Sequence, residues 1–418
     1  MVSEIYGYAR EYYARYGIDT EAALDKLLTV PVSLHCWQGD DVRGFDGSVS
    51  LDGGIQTTGN YPGAARTPEE LMSDLDFSLK LMPGTKRINL HASYAIAATG
   101  EKISRDRIEP RHFEPWVRFA KEHGVALDFN PTFFSHPMVA DNLTLSSPDP
   151  EVRNYWIRHG ICCLRIAEYF ARELGSQSLV NFWMPDGYKE TPADRYSPRK
   201  RMADSLDRIL DAGYDRDLVA VSLESKVFGI GLESYTVGSA EFCTGYSLKN
   251  RLVPLMDNGH YHPTESVADK IPSMLLFSDK VALHVTRGVR WDSDHVVRTD
   301  DTVNDIALEA VRGGLDRFFL ALDYFDAAIN RVAAWVTGYR AFEKSLLTAL
   351  LWPHKMGREY QDAADFTDMF VISEEIKTAP FGAVWDEYCR RAGVPAEGEW
   401  MPLVRKYEKE VLFKRQKA

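Results

Sequence analysis

The sequence has few cysteines and no long apolar run. Because its five cysteines form no CxxC pair, we expect reduced thiols rather than a disulfide framework; they are Cys36, Cys162, Cys163, Cys243 and Cys389. No uninterrupted apolar segment approaches the roughly 18 residues that a membrane-spanning helix needs. The first residues lack the basic and apolar regions of a signal peptide. These absences predict a cytoplasmic protein without a membrane partner.

Positive charge and nucleotide-binding motifs are also scarce. The 418 residues include 49 Lys and Arg against 61 Asp and Glu, which gives a formal net charge of −12. This balance disfavours nucleic acid as a partner. A Walker A loop and a nucleophile elbow are absent, and the glycines around residue 230 do not complete a GxGxxG motif. The sequence therefore disfavours chemistry based on a nucleotide cofactor.

Eight short apolar runs alternate with helical patterns between residues 30 and 330. Apolar runs that end in polar residues are typical of parallel strands, and eight such repeats predict a (β/α)8 TIM barrel, an α/β fold. The predicted strands are 30–35, 86–91, 125–130, 178–183, 218–224, 252–257, 280–284 and 317–323. We expect N-terminal helices over 1–29, the catalytic barrel over 30–328, and a helical tail over 329–418. Further tail helices are predicted at 359–378 and 382–414, and the tail is expected to make oligomer contacts rather than wrap the barrel flank.

The last four predicted strands end in potential metal ligands. In a parallel barrel, strand ends and the following loops meet at one face, where the chemistry of this fold is found. Oxygen-rich sets that include one imidazole favour Mn²⁺, Mg²⁺ or Co²⁺ over metals selected by thiolates. Any one of these residues alone is more often a helix cap or an ion-pair partner. Together they predict a metal site formed by Glu224, Asp257, His284 and Asp323.

The loops after these strands supply a second candidate set. His260, Asp292 and Asp294 could hold a second cation, with Asp257 as a shared ligand. The two loop aspartates are two residues apart, so they face one side if the segment is extended. His262, in the same loop as His260, is expected to support a neighbouring ligand or to be structural, and not to bind the metal itself.

Other polar and aromatic residues could face the same pocket. Lys226 could hold a substrate oxygen or pair with a rim carboxylate. His35, His91 and His136 could carry protons near neutral pH, or could be structural histidines. Aromatic side chains near the strand ends could line a sugar pocket or simply pack in the core; these are Trp37, Phe133, Phe134, Trp183 and Trp291.

Long motifs in the chain are those of a known family. The sequence resembles the L-rhamnose isomerase family, which is a family of bacterial aldose–ketose isomerases, over nearly its whole length. The motifs are PVSLHCWQGDD (31–41), GGIQTTGNYP (53–62), ESKVFGIG (224–231), GHYHPTE (259–265), RWDSDHVV (290–297) and LDYFD (322–326). The loop 94–100 differs from the family pattern, in a region where substrate breadth varies.

The resemblance implies a function and a set of roles. It implies interconversion of L-rhamnose and L-rhamnulose in a homotetramer that depends on Mn²⁺, with two ions per subunit and Mg²⁺, Co²⁺ or Zn²⁺ as substitutes. Other aldoses are possible substrates. It assigns Glu224, Asp257, His284 and Asp323 to a structural metal, and Asp257, His260, Asp292 and Asp294 to a catalytic one.

The expected catalytic residues and sugar contacts overlap. Catalytic roles are expected for His91, Lys226 and Asp323. Sugar contacts are expected for His91, Trp183, Lys226, Trp37 and Phe133. Two alternatives stay open: a metal-dependent hydrolase on the same barrel and a non-catalytic sugar-binding protein.

Overall fold

Eight parallel strands close into a barrel in the order in which they occur along the chain. The computed structural model describes residues 2–47, 57, 59–98 and 101–417. Half of the motif at 53–62 therefore lies outside the described residues, as do the last two residues of the loop 94–100 and residue 418 of the tail. The strands are β1 Pro31–His35, β2 Thr85–His91, β3 Ala126–Asn130, β4 Ser178–Trp183, β5 Val219–Glu224, β6 Val253–Asp257, β7 Val281–Val285 and β8 Phe318–Leu322.

Closure comes from pairing between the first and last strands. Val32 of β1 is in register with Leu320 of β8, and Ser33 is in register with Ala321. The other neighbours pair in sequence order, so every strand lies between two others. Runs rich in Val, Leu, Ile and Phe form these strands because the barrel wall is buried on both faces. The predicted TIM barrel is confirmed.

Helices follow the strands and cover the outside of the barrel. Thr67 caps the helix after β1, and its hydroxyl accepts a hydrogen bond from the Glu70 backbone N–H, as its sequence position predicts. The α-helices are α1 Val2–Ala14, α2 Thr20–Leu28, α3 Pro68–Leu79, α4 Glu114–His123, α5 Pro150–Leu174, α6 Tyr196–Asp211, α7 Ala240–Asn250, α8 Val267–Met274, α9 Asp301–Gly313, α10 Arg331–Leu350, α11 His354–Asp362, α12 Phe366–Glu375, α13 Phe381–Arg391 and α14 Trp400–Glu410.

Several helix bounds differ from the prediction. The helix predicted at 359–378 is two helices, α11 and α12, because the chain turns at Ala364, whose φ is 56°. The helix predicted at 382–414 is also divided, because Gly393 and Gly398 adopt positive φ on either side of Pro395. After α14 the chain ends in a 3-10 helix, Leu412–Lys417.

The loops after β4 and β5 pair with each other in a small antiparallel ribbon. Gly187–Tyr188 pairs with Tyr235–Thr236. The sequence predicts a helix near residues 232–250, but this second segment is extended, so α7 begins at Ala240.

The helix α10 completes the eighth strand–helix repeat. It follows β8 and contacts α9, α2 and α3. The sequence assigned it to the tail, and the division of the chain at residue 328 stays a prediction. The later tail helices also contact their own chain: α13 contacts α1, and Arg415 forms an ion pair with Asp74 of α3 at 2.6 Å. Among the described residues, no helix is both long enough and apolar enough to cross a membrane.

Inside the barrel, an apolar layer is followed by a polar layer toward the carboxyl ends of the strands. Leu179, Ala220, Leu255 and Ala282 form a small buried cluster inside the lumen. Two residues further along their strands, the corresponding positions are Asn181, Ser222, Asp257 and His284. This alternation along the strands directs a layer of polar side chains toward the carboxyl ends of the barrel.

Candidate metal centre and active site

A cavity of about 410 Å³ lies at the carboxyl ends of the strands. Residues from every strand end, or from the loop after it, line this cavity. A volume of this size fits a small ligand. The position agrees with the general rule that the chemistry of a (β/α)8 barrel occurs at this face.

Four of the predicted ligands come together at the base of the cavity. One potential ligand atom from each of Glu224, Asp257, His284 and Asp323 lies within 4.8 Å of the others. His284 Nδ1 lies 3.3 Å from Glu224 Oε1 and 3.3 Å from Asp323 Oδ2. Strands β5, β6 and β7 end in or near three of these residues, and Asp323 directly follows β8.

The ligand atoms in this cluster lack ordinary hydrogen-bond partners. Glu224 Oε1, Asp257 Oδ2 and both ring nitrogens of His284 are buried and make no hydrogen bond. Buried polar atoms without partners are costly to a fold unless something else satisfies them. Carboxylate oxygens and an imidazole that converge in this way fit a divalent cation.

The second predicted set lies directly beside the first. His260 Nδ1 is 3.2 Å from Glu224 Oε1, and His260 Nε2 is 3.2 Å from Asp292 Oδ2. Asp292 and Asp294 both line the cavity. Their segment is not extended, because Asp294 has a φ of 44°. The turn brings both side chains into the cavity.

Burial and neighbouring charges shift the pKa values of these carboxyl groups in different directions. Burial, followed by repulsion from neighbouring carboxylates, raises the pKa of Asp257 and Asp294 well above the usual range. Burial also raises the pKa of Asp323. Although burial acts in the same direction on Glu224, the adjacent His284 and His260 lower its pKa. A bound divalent cation would allow all these carboxylates to ionise together.

Lys226 carries a positive charge on the cavity wall. Its Nζ donates a hydrogen bond to Asp292 Oδ2 at 3.1 Å. The same Nζ lies 5.3 Å from the centre of the Trp183 ring. Lys226 and Trp183 both line the cavity. The ammonium group is thus placed beside the second ligand set and beside an aromatic wall.

His91 and Trp37 form the wall on the β1–β2 side. Their ring centres are 4.6 Å apart, and both residues line the cavity. His91 Nδ1 lies 3.2 Å from Thr132 Oγ1. Burial lowers the pKa of His91 to about 3, so its imidazole is neutral at physiological pH.

Phe133 does not have the position that the sequence predicted. It is fully buried and packs against Trp156, His159 and Phe182. Its neighbour Phe134 lines the cavity instead. The reason is geometric: the chain has left β3 at Asn130, so strand alternation no longer determines which of two adjacent phenylalanines faces inward. Trp291, which was predicted as a wall residue, also lines the cavity and is 48% exposed.

Three histidines that the sequence analysis considered for the site do not line the cavity. His35 is buried between Trp37 and Tyr324, and burial lowers its pKa to about 3. His136 Nε2 and the Tyr155 hydroxyl share a hydrogen bond of 3.0 Å. His262 is exposed and bonds to Thr264 Oγ1 at 2.7 Å, which agrees with the structural role predicted for it.

Asn181 is a cavity residue that sequence reasoning missed. Its Nδ2 donates to Glu224 Oε2, and its Oδ1 accepts from Ser222 Oγ at 3.0 Å. A sequence signal was present, since Asn181 is a polar residue within the otherwise apolar strand β4, and a buried amide needs partners. Val42 and Phe325 also line the cavity without having been predicted.

Together, the fold and the site define a (β/α)8-barrel protein with a candidate metal centre in a cavity suited to a small polar ligand. The family model described as L-rhamnose isomerase (RhaA) matches residues 1–415. The chain therefore belongs to the L-rhamnose isomerase family. The predicted family and the predicted enzyme class, an isomerase, are both confirmed.

Two named relatives and one solved structure are similar to the chain to different degrees. An L-rhamnose isomerase of Listeria innocua serovar 6a is 51% identical over 418 residues, and the match covers 99% of each chain. One of Yersinia pseudotuberculosis serotype IB is 49% identical over 416 residues, again over 99% of each chain. A solved structure of an L-ribulose 3-epimerase has a TM-score of 0.48 at 13% identity, and covers 76% of this chain and 95% of its own.

Proposed function

We propose that this chain interconverts L-rhamnose and L-rhamnulose at a site with two divalent cations. The observation that carries the proposal is the group of four ligand atoms within 4.8 Å of one another, in a chain of this family. Aldose–ketose isomerisation moves hydrogen between C1 and C2 of the open-chain sugar. It needs groups that hold two neighbouring oxygens while charge develops on them.

The proposed ligands form two overlapping sets. Glu224, Asp257, His284 and Asp323 would hold one cation. Asp257, His260, Asp292 and Asp294 would hold the other. Both sets are rich in oxygen, which supports Mn²⁺ as the native ion, with Mg²⁺, Co²⁺ or Zn²⁺ as substitutes. When bound, the cations would polarise the O1 and O2 atoms of the sugar.

The chain's own residues bind and orient the sugar. Lys226 presents an ammonium group, 3.1 Å from Asp292, that can donate to a sugar oxygen. His91 presents a neutral imidazole that can accept a hydrogen bond from a hydroxyl group. Trp37 and Trp183 provide aromatic walls for the apolar faces of the sugar.

Asp323 is proposed to be both a ligand and a catalytic residue. Its side chain is 20% exposed, whereas those of Glu224 and His284 are 2% and 1% exposed. Asp323 is therefore the ligand among these three with the most access to the cavity. His91, Lys226 and Asp323 together form the proposed catalytic set.

The first experiment measures ketose formation from L-rhamnose by chelator-treated protein, with and without added Mn²⁺. We expect activity to disappear on chelation and to return with Mn²⁺. Activity on other aldoses alone would keep the reaction and change the substrate. Phosphodiesterase turnover without isomerase activity would favour the hydrolase alternative. Sugar binding without turnover would favour the binding-protein alternative.

The assembly and the compartment are proposed on separate grounds. We propose a homotetramer, the assembly that the family resemblance implies, and we propose that the tail contributes contacts to it because α12 exposes Phe366, Phe370 and Val371. Exposed apolar faces of this kind are often interaction surfaces. All five cysteines are free thiols, which supports a reducing compartment such as the cytoplasm.

A further inference from the structure

The turn at Asp41 and Val42 has an unfavourable backbone conformation. Both residues have a φ of 63°, in the left-handed region. A β-branched residue such as Val42 adopts this region rarely, because its side chain collides with its own backbone. Residues held in this way need support from surrounding structure, and they are concentrated at functional sites.

The strained turn forms part of the cavity wall. Val42 is 5% exposed and lines the cavity. Its backbone N–H donates to the Trp37 carbonyl at 3.1 Å, which closes the loop between the two residues. Trp37 lines the same cavity and packs on His91. The conformation of the turn therefore sets the position of Val42 and ties it to the backbone of Trp37.

Arg331, at the start of α10, holds this turn. Its Nε donates to Asp41 Oδ1 at 2.8 Å, and its Nη2 donates to Asp41 Oδ2 at 2.7 Å. A third donor, Nη1, bonds to the Tyr61 carbonyl. The side chains of Arg331 and Asp41 are 4% and 12% exposed. A buried, two-pronged ion pair specifies orientation as well as distance, because the guanidinium group is planar and rigid.

The helix α14, near the C-terminus, holds the segment that contains Arg331. The preceding residue, Asn330, caps α10 by accepting from the Ala333 N–H at 2.8 Å. Its Nδ2 donates to Glu408 Oε1 of α14 at 2.8 Å. The same oxygen accepts from the Tyr61 hydroxyl at 2.6 Å. One carboxylate of α14 thus anchors both segments that meet at Arg331.

We propose that Arg331 is a positioning residue for the sugar site. Through Asp41 it holds the Asp41–Val42 turn, and thereby the Val42–Trp37 wall, in the shape that binds the substrate. The inference rests on the proposed isomerase function. The wall faces the sugar before and during the reaction, so its displacement should weaken binding of the substrate and of the transition state alike.

The test compares Arg331→Lys with a matched control, Arg87→Lys. Arg87 makes the same two-pronged contact with Asp128, at 2.9 and 2.7 Å, and is also largely buried. Its pair lies at the opposite end of the barrel from the cavity. Both variants keep the positive charge but lose the planar guanidinium group that donates two hydrogen bonds. We expect Arg331→Lys to raise KM for L-rhamnose about fivefold or more with kcat within about twofold. The metal content should be unchanged, and Arg87→Lys should leave KM unchanged.

A second readout does not depend on turnover. Trp37, Trp183 and Trp291 line the cavity, so quenching of tryptophan fluorescence by the sugar reports its Kd in the metal-loaded protein. This Kd should rise in parallel with KM. If Arg331→Lys fails to fold, Asp41→Asn provides the same test, because it keeps the size of the side chain and removes the charge.

The outcomes separate this inference from the proposed function. An unchanged KM and Kd in a folded Arg331→Lys or Asp41→Asn variant would overturn the positioning role. An equal rise in KM for Arg87→Lys would also overturn it, because the effect would then reflect general destabilisation. A wild-type chain without activity on any aldose would overturn the proposed function itself.

Discussion

At the scale of single residues, Asn181 supports the candidate metal centre without being one of its proposed ligands. It bridges Glu224 and Ser222, and so fixes the orientation of a carboxylate whose other oxygen belongs to the cluster. Groups that orient a ligand usually change metal affinity by about 10–100-fold when they are removed.

We therefore expect Asn181→Ala to weaken Mn²⁺ binding by about 10–100-fold. Titration of the chelator-treated protein with Mn²⁺, followed by its thermal shift, measures this directly, since bound ligand stabilises the folded state. Asn89→Ala is the control, because Asn89 is also a buried asparagine inside the barrel, but it lines a separate cavity at the other end. Equal affinities for the two variants would contradict the role of Asn181.

The second ligand set has its own prediction. Asp292→Asn should abolish isomerase turnover while the protein still folds. The amide keeps the size of the side chain but removes the charge that contacts His260 and Lys226. Asp316→Asn, at an exposed position near the other end of the barrel, is the control and should retain full activity. Turnover by Asp292→Asn would remove this residue from the second proposed ligand set.

The convergence of the proposed ligands could be predicted from the sequence, whereas the positions of some neighbours could not. Strand-end residues such as Glu224 and Asp257 converge because all strands of a parallel barrel point the same way. The choice between Phe133 and Phe134 depends on a loop that follows no simple periodicity. The conformation of Asp294 depends similarly on a left-handed turn, which its residue type permits but does not require.

At the scale of elements, α10 links the barrel to the tail through a buried acid. Glu343 of α10 is fully buried and accepts a hydrogen bond from the Tyr388 hydroxyl of α13 at 2.6 Å. Burial raises the pKa of Glu343 to about 8. Between the unfolded value of 4.5 and 8, the folded state therefore holds one more proton than the unfolded state. Its stability falls as the pH rises through this window.

We expect Glu343→Gln to remove this pH dependence. The amide still accepts the Tyr388 hydrogen bond and cannot ionise. Relative to wild type, the variant should gain on the order of 1.4 kcal/mol of unfolding free energy per pH unit between pH 5 and 8. Thermal or denaturant unfolding at both pH values measures the difference. Glu359→Gln, at an exposed position on α11, is the control. A constant difference across this window would show that Glu343 does not titrate with folding.

The helices were predictable where periodicity was long and uninterrupted. The sequence predicts helices at 150–174 and near 301–313, and α5 and α9 have these bounds because both helices carry a capping aspartate and an apolar stripe. The predicted helix bounds in the tail were wrong because the breaks between its helices depend on local backbone conformation at Ala364 and around Pro395. The late start of α7 follows from a ribbon contact with a segment about 50 residues earlier, which no local pattern reveals.

At the scale of the whole molecule, the unpaired apolar face of α12 is the feature that bears on assembly. Phe366 and Phe370 lie one turn apart and are 58% and 68% exposed. The proposed homotetramer would bury this face. The double variant Phe366→Glu/Phe370→Glu should therefore give a smaller species in light scattering. Tyr196→Glu, at a residue that is 75% exposed on α6, should leave the mass unchanged. An unchanged mass for the double variant would exclude this face from the interface.

Barrel closure has a consequence for how the chain is made. Gln38, just after β1, exchanges two hydrogen bonds with the backbone of Asp326, just after β8, and the two residues are 288 positions apart. Because the ribosome adds about 5–20 residues per second, β1 is made roughly 15–60 s before β8, the last strand that pairs with it. During that interval both open edges of the growing sheet can pair with other nascent chains. Protein yield in the cell should therefore depend on chaperone supply and on the pace of translation more than equilibrium stability alone would suggest.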